Sequence, residues 1–182
     1  MEKGIQTSDY INFNSALNTG LKLLDDPKKK KIGIYILVSI FTGLRTGDIQ
    51  KLTYEQFNSD SLTIQEEKTG KTRTIKINET LKKVFQKHRG NGLIFMSQKN
   101  SVFTTQSLNR ILKKIFNKLS EYENISTHSL RKSFGRRVYD MNSQSEHSLG
   151  RLSEIFGHKN IHDTRVYLDL KQKDPNEIYM NL

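Results

Sequence analysis

Apolar side chains recur along most of this chain at the spacing of an amphipathic helix. The clearest case covers Thr105–Leu119, where one face is apolar and the opposite face is basic. A cap within residues 7–9 could start a first helix, which residues 25–27 would stop. The other predicted helices are Lys30–Thr42, Arg45–Leu52, Glu79–His88, His128–Met141, Ser148–Phe156, Ile161–Leu170 and a short one after Asp174.

The pattern changes to strict alternation between Ser61 and Ile77. Leu62 and Ile64 alternate with polar residues, and residues 74–77 do the same after a turn at residues 68–71 that contains a glycine. Alternation around such a turn predicts a β-hairpin, here with a basic tip. The chain is therefore predicted to be mostly α, with one small antiparallel β-sheet, in a single domain.

The basic composition of the chain favours an anionic binding partner. The 182 residues include 30 Lys or Arg and 19 Asp or Glu, a formal net charge of +11. A surface this basic attracts phosphate backbones, although a basic protein without such a partner would have the same composition. The chain contains no cysteine, which excludes disulfide frameworks and thiolate metal sites.

No segment has the character of a membrane span or a leader. The longest apolar stretch, Ile32–Leu44, is shorter than the roughly 20 residues that cross a bilayer. The first ten residues lack the apolar core of a signal peptide. We therefore predict a cytoplasmic, nucleoid-associated protein.

Four short segments hold polar residues that packing of an amphipathic fold does not explain: 42–48, 68–71, 128–131 and 157–167. In the third segment, His128 and Arg131 are one helical turn apart and project over the same patch. An adjoining apolar face is expected to anchor this pair in the core. Its members are Leu130, Phe134, Val138 and Met141.

These segments, within TGLRTGDIQKL, EEKTGKTRTIKI, HSLRKSFGRRV and FGHKNIHDTRVYLDL, have an order and spacing typical of one family. Over roughly residues 5–175 the chain resembles the catalytic domain of the tyrosine recombinase, or phage integrase, family. The resemblance implies the family's DNA breaking and rejoining fold. It also implies that residues 1–182 are a single catalytic domain of the C-terminal type, without the N-terminal DNA-binding domain that family members usually carry.

The resemblance assigns a role to each of the main site residues. Arg45 and Arg131 would clamp the scissile phosphate, and Tyr167 would attack it to form a 3′-phosphotyrosine. His128 would assist proton movement at the tyrosine, and Lys68 would act as general acid to the leaving 5′-oxygen. Phosphodiester cleavage independently requires a nucleophile, cations at the nonbridging oxygens and an acid for the departing oxygen. The sequence supplies each of these without a metal, so no cofactor is predicted.

Two further residues have supporting roles by the same resemblance. His158 would add a hydrogen bond to the phosphate. Asp48 lies one helical turn from Arg45 and is expected to hold the clamp and the histidine by ionic hydrogen bonds. Basic residues on the hairpin and on the predicted Thr105–Leu119 helix are expected to contact DNA phosphates: Lys71, Arg73, Arg110, Lys113 and Lys114.

Alternatives stay open for several of these residues. Lys68 shares its hairpin with other cations and could contact only phosphates. His158 and His162 have the spacing of a zinc pair, but the sequence lacks the glutamate of the HExxH motif, so no metal site is predicted. The other tyrosines compete with Tyr167 as nucleophile: Tyr10, Tyr35, Tyr54, Tyr122, Tyr139 and Tyr179.

The preferred interpretation is a site-specific recombinase acting on double-stranded DNA. The resemblance implies a homotetramer on DNA, a monomer in isolation, and possible accessory DNA-bending proteins. A nicking and closing enzyme of the type IB topoisomerase kind would use the same chemistry. A DNA-binding remnant without catalysis is the third possibility, although the sequence retains the arginines, histidines and tyrosine.

Overall fold

The computed structural model describes residues 8–97, 100–117 and 124–170. Within these residues the chain forms eight α-helices, one 3-10 helix (Glu55–Phe57) and one two-stranded antiparallel sheet, which confirms the predicted fold class. In chain order the elements are α1 (Phe13–Leu23), α2 (Lys30–Thr42), α3 (Thr46–Gln50), β1 (Ser61–Gln65), β2 (Thr72–Lys76), α4 (Glu79–Lys87), α5 (Thr105–Phe116), α6 (Thr127–Met141), α7 (Glu146–Phe156) and α8 (Ile161–Tyr167).

Helix α2 is the centre of the main hydrophobic core. Its residues from Ile32 to Ile40 are buried on every face, as expected for a helix that is apolar all round. Helices α1 and α6 both pack against it. Gly43 ends α2 with a φ of 62°, and the ring of Phe134 on α6 fills the space that a side chain there would need.

The start of α1 differs from the sequence prediction. Asn12 caps this helix by accepting hydrogen bonds from the backbone of Asn14 and Ser15, so α1 begins several residues after the predicted cap. Ser8 and Asp9 bond instead to the segment before α6, at Ser126 and Asn124. Their side chains satisfy a tertiary contact, which local propensity could not reveal. Thr7, the other predicted cap residue, lies outside the described residues, as do Lys118, Leu119 and the predicted helix after Asp174.

The predicted hairpin is confirmed. Strands β1 and β2 pair antiparallel with Leu62 opposite Ile75 and Ile64 opposite Arg73. Leu62 and Ile64 face the core while the residues between them are exposed. The turn at residues 66–71 therefore projects from the end of two paired strands that the core holds in place.

A smaller second cluster joins α6 to α7 and α8. It is built from Tyr139, Leu149, Leu152, Phe156 and Leu168. Leu130 near the start of α6 belongs to the main core. The expectation that Met141 lies in the core is wrong, because its side chain is 68% exposed where α6 runs past the second cluster.

Within the described residues, none of the helices is both long and apolar enough to cross a membrane.

Candidate active site

The ends of several elements meet where the two hydrophobic clusters adjoin. Arg45 is the residue before α3, rather than part of a helix Arg45–Leu52 as predicted, and its backbone is extended. Arg131 lies near the start of α6. His158 follows the left-handed Gly157 that ends α7, and Tyr167 is the last residue of α8. The fold therefore brings together residues from three of the four sequence segments.

The two predicted clamp residues, Arg45 and Arg131, donate to the same backbone carbonyl. The carbonyl of Phe156 accepts from Nη2 of Arg45 and, at 3.2 Å, from Nη2 of Arg131. Nη1 of Arg131 donates to the carbonyl of Gly43 at 2.6 Å, and its guanidinium lies 4.5 Å from the centroid of the Phe156 ring. Arg131 is thus fixed between the end of α2 and the end of α7.

Burial is the main influence on the charge of Arg131. The residue is 6% exposed, and burial together with the charges of Arg45 and Arg73 lowers its pKa to about 10. At neutral pH the group is still protonated. A desolvated guanidinium of this kind binds an anionic group more strongly than a hydrated one does.

The carboxylate that pairs with the clamp is Glu66, a residue that sequence analysis missed. One of its oxygens lies 3.1 Å from Nη1 of Arg45 and accepts from the Thr69 hydroxyl at 2.9 Å, and the other lies 3.5 Å from Arg73. Burial opposes ionisation of Glu66, but the Thr69 hydrogen bond and the two guanidinium charges lower its pKa. The alternation that turns Leu62 and Ile64 inward also turns Glu66 inward, which is the signal that could have found it.

Asp48 does not have the position expected of it. Among the described residues it forms no ion pair with Arg45 or His128; its Oδ1 accepts from the backbone N–H of Glu67 at 2.9 Å. Its Oδ2 is buried and accepts no hydrogen bond from any residue that the structure describes. The turn of α3 directs this carboxylate to the root of the hairpin tip, so Asp48 anchors the loop that carries Lys68.

The hairpin tip faces the clamp. Lys68 is exposed, and its charge contributes to lowering the pKa of His158. A Cβ placed on Gly157 would lie 3.9 Å from the methyl group of Thr69 and 3.2 Å from Nη2 of Arg45. Gly157, with a φ of 64°, therefore lets the tip and the clamp approach the end of α7 closely.

Arg73 differs from the other residues predicted to contact DNA. Its Nη1 donates to the carbonyl of Ile155 at 3.0 Å, and its side chain is 21% exposed. The guanidinium is thus held inside the cluster, because Glu66 and the end of α7 attract it. The four others remain exposed, and their contact with phosphates stays a prediction: Lys71, Arg110, Lys113 and Lys114.

The two predicted histidines, His128 and His158, both line one groove beside Tyr167. His128 is in the first turn of α6, where desolvation of the ring and the charges of Arg131 and Lys132 lower its pKa. Nδ1 of His158 hydrogen-bonds the Thr164 hydroxyl at 2.9 Å, and desolvation and the charge of Arg131 lower its pKa as well. Both rings are therefore mainly neutral at neutral pH.

Tyr167 is half-buried at the edge of this cluster, and its hydroxyl oxygen is buried. Its hydroxyl has no hydrogen-bond partner among the described residues, and its ring lies 5.2 Å from the His158 ring and 5.3 Å from the Phe156 ring. Burial raises the pKa of Tyr167 to about 12, while the charges of Arg131 and Arg45 act in the opposite direction. The hydroxyl is thus protonated and close to the clamp.

The other tyrosines that the structure describes lie elsewhere in the fold. The Tyr35 hydroxyl is in the core, 3.1 Å from the Thr46 hydroxyl. Tyr10 packs under the guanidinium of Arg136, and Tyr54 lies against Phe85. Tyr139 belongs to the second cluster. Tyr122 and Tyr179 lie outside the described residues.

A groove of about 590 Å³ opens beside Tyr167. It is lined by Ser8, His128, Lys132, His158, His162, Asp163, Val166 and Tyr167. His158 precedes Asn160, the cap of α8, so it and His162 do not share a helical face as a zinc pair would. Within the described part of the chain, no group of three or more His, Asp or Glu side chains could hold a metal ion.

Sequence analysis also missed an ion pair next to the tyrosine. Nζ of Lys132, a residue only 2% exposed, lies 2.6 Å from Oδ2 of Asp169. Lys132 follows Arg131 on α6, and Asp169 follows Tyr167 by two residues. The helical spacing of apolar residues in this segment gives no sign of a buried lysine.

Comparison with solved structures finds recombinases and an integrase with the same fold. XerA recombinase superposes with a TM-score of 0.68 at 17% identity, over 97% of this chain and 65% of XerA. XerH site-specific recombinase, in a pre-cleavage complex with its difH substrate, gives 0.67 at 22% identity, over 100% of this chain and 55% of XerH. The Tn1549 transposon integrase in complex with transposon right end DNA gives 0.71 at 18% identity, over 100% of this chain and 67% of the integrase.

At these identities the structural likeness establishes the fold, and the chain spans 65% and 55% of the lengths of XerA and XerH. No curated protein matches the sequence. The sequence model of the phage integrase family, however, matches residues 6–174, which is most of the chain. The chain therefore belongs to the phage integrase family.

Proposed function

We propose that this chain is the catalytic domain of a site-specific DNA recombinase or integrase that cleaves and rejoins strands through Tyr167. The observation that carries the proposal is the buried Tyr167 hydroxyl within the electrostatic reach of both Arg131 and Arg45. A nucleophile and a pair of cations at one groove suit attack on a phosphodiester. The phage integrase family and its DNA-bound members support the same function.

In the proposed step the Tyr167 oxygen attacks the scissile phosphorus. A new P–O bond forms to the tyrosine, the bond to the 5′-oxygen breaks, and a 3′-phosphotyrosine results. Arg45 and Arg131 hold the nonbridging oxygens, where negative charge grows in the transition state. The energy of the broken bond is kept in the phosphotyrosine, so a second 5′-hydroxyl can reverse the step without ATP.

Proton movement requires a base and an acid. The Tyr167 proton has to leave because a hydroxyl with a pKa of about 12 is a weak nucleophile at neutral pH. His128, whose pKa is lowered, is the proposed base, and Lys68 on the hairpin tip is the proposed acid that protonates the 5′-oxygen. His158, oriented by Thr164, would donate to a phosphate oxygen.

The wider properties belong to the same proposal. Double-stranded DNA is the proposed partner, with a tetramer on two duplexes, a monomer without DNA, and DNA-bending accessory proteins at some sites. Residues 1–182 would act as one catalytic domain, at the nucleoid where such DNA is found. Lys71, Arg110, Lys113 and Lys114 are the proposed phosphate contacts outside the groove, and Asp48 supports the loop of Lys68.

The test is trapping of the covalent intermediate. The wild-type protein is incubated with nicked duplexes from the ends of its host element, so that the cleaved strand is lost and rejoining is prevented. Denaturing electrophoresis and peptide mapping should show a protein–DNA adduct at Tyr167. The adduct should be absent in Tyr167→Phe and retained in Tyr54→Phe, a matched loss of a hydroxyl away from the site.

Three outcomes would count against the proposal. An adduct at another tyrosine would reject Tyr167 as the nucleophile. Absence of any adduct while the duplex is bound would favour the DNA-binding protein without catalysis. Relaxation of supercoiled DNA without exchange between two sites would instead indicate a nicking and closing enzyme.

A further inference from the structure

Within the described residues, Lys132 is a buried cation with one anionic partner. Its side chain is 2% exposed, and a charge so far from water is costly unless it is paired. The partner is Asp169, 2.6 Å away, whose own side chain is 44% exposed. The pair connects α6 to the segment that directly follows the proposed nucleophile.

The backbone around Asp169 has an unusual conformation. Asp169 has a φ of 52°, in the left-handed region that side chains other than glycine adopt at a cost, although Asp tolerates it better than most. Its N–H donates to the carbonyl of Val166 at 3.1 Å, and the neighbouring Leu168 is buried against α6. A tight turn thus ends α8 and directs the Asp169 carboxylate back at Lys132.

The same ammonium group also faces the tyrosine. Nζ of Lys132 lies 5.6 Å from the centroid of the Tyr167 ring, within the range of a cation–π contact. Lys132 therefore contacts both the ring of Tyr167 and the residue two positions after it. Its neighbour in sequence, Arg131, is held by the carbonyls of Gly43 and Phe156.

We propose that Lys132 and Asp169 form a latch that positions Tyr167 relative to the arginine clamp. The inference rests on the proposed function of Tyr167. Because Arg131 and Lys132 are consecutive on α6, one rigid helix turn fixes both the phosphate-binding group and the nucleophile-bearing segment. Both latch residues are positioning residues, since they act through Tyr167 and not on the DNA.

The first test needs no DNA. In Asp169→Asn the charge is lost, while side-chain size and tolerance of the left-handed backbone are kept. Without the latch the Tyr167 ring should open to solvent more often, so tetranitromethane should nitrate it about tenfold faster than in the wild type, as mapped by mass spectrometry. Tyr35, 1% exposed in α2, serves as the internal reference.

The second test measures cleavage in a single turnover at saturating nicked duplex. Asp169→Asn and Lys132→Met should lower the rate constant about tenfold, with the DNA dissociation constant unchanged within about twofold. Lys132→Arg, which keeps a cation, should recover most of the rate. The control is Asp140→Asn on α6, whose exposed carboxylate accepts a local hydrogen bond from Gln144 at 3.2 Å.

The outcomes separate the latch from the proposed function. Wild-type rates of both nitration and cleavage in Asp169→Asn would overturn the latch. Faster nitration of Tyr35 along with Tyr167, or a loss of active fraction with an unchanged rate constant, would also overturn it, because the pair would then stabilise only the fold. If the wild type forms no adduct, the proposed function fails while nitration still decides the latch.

Discussion

At the residue scale, Glu66 sets the geometry of the clamp. Its carboxylate lies between Arg45 and Arg73, at 3.1 and 3.5 Å. Such a bridge holds two cations that would otherwise repel each other, but it also neutralises part of the charge available to a phosphate. Removal of this carboxylate should therefore weaken the alignment of Arg45 but should not weaken the affinity for DNA.

Glu66→Gln is predicted to separate these two effects. Without the anionic bridge, Arg45 should lose its alignment, and single-turnover cleavage should slow about tenfold. DNA binding measured by fluorescence anisotropy should be equal to or tighter than in the wild type, since one negative charge has left the groove. Glu67→Gln is the control, because Glu67 pairs with Lys51 at the surface. Weaker DNA binding in Glu66→Gln would contradict the prediction.

The histidines give a prediction for the pH dependence. Desolvation and nearby cations lower the pKa of both His128 and His158 below 6.5. If neutral His128 accepts the tyrosine proton, the cleavage rate should rise with pH, with its midpoint below 6.5, and should then level off at higher pH. A midpoint above neutrality in the pH–rate profile would argue against His128 as the base.

The same shifts affect stability, and the sign follows from proton uptake. The unfolded chain binds protons at these histidines more readily than the folded chain, so unfolding becomes easier as the pH falls from 6.5 through the lower folded-state values. Melting temperatures should therefore fall in that window. His158→Asn should reduce the fall, provided its melting temperature at neutral pH stays measurable.

The residues of the site could be predicted from the sequence only where a local pattern names them. Arg45, His128, Arg131, His158 and Tyr167 all stand in short segments with a recognisable order, and the fold brings them to one place. The partners of these residues are set by tertiary packing instead. Glu66, Lys132 and Asp169 lie in the same recognisable segments, but the order of those segments does not say which side chains pair. The Asp48 carboxylate is likewise directed to the hairpin rather than to Arg45.

At the element scale, the hairpin of β1 and β2 carries Lys68 toward the site. The Asp48 carboxylate accepts a hydrogen bond from the Glu67 backbone, and the Thr69 hydroxyl donates one to Glu66. The residues on both sides of Lys68 are therefore fixed by hydrogen bonds. An exposed lysine on a supported tip can move to meet a ligand while its loop stays in register. This placement suits a proton donor better than a passive surface charge.

Lys68→Ala is predicted to slow cleavage of a normal duplex about a hundredfold, the usual scale of a lost general acid. A duplex with sulfur in place of the bridging 5′-oxygen should be cleaved at a nearly wild-type rate, because a thiolate leaves without help from an acid. Lys71→Ala is the control, since Lys71 is exposed beyond the same turn. Equal slowing on both duplexes would show that Lys68 only binds phosphate.

The elements themselves were predictable because their amphipathic patterns are strong, as in α5 and in the alternating β1. Their ends were less so. The first helix starts at Phe13 because Asp9 is occupied by Asn124, and α6 carries Met141 into solvent because the second cluster does not extend beneath it. In both cases a contact distant in sequence decided the boundary.

At the scale of the whole molecule, the cations behind the net charge of +11 fall into two groups, those held by protein acceptors and those exposed on the surface. Arg45, Arg73, Arg131 and Lys132 are engaged with protein acceptors near the groove. The exposed cations of α5 and of the hairpin remain available to a long polyanion. Affinity for DNA should therefore come mainly from these surfaces, and chemistry from the interior cluster.

The salt dependence of DNA binding tests this division. If about six phosphates are neutralised, affinity should fall on the order of a thousandfold between about 50 and 200 mM salt, because counterions return to the duplex. Replacing Lys113 and Lys114 by Gln should reduce the slope of log affinity against log salt by about two. The same charge removed at the exposed Lys22 and Lys83, on α1 and α4, should change the slope less. An equal change in both double variants would mean that α5 does not face the DNA and that only the total charge attracts it.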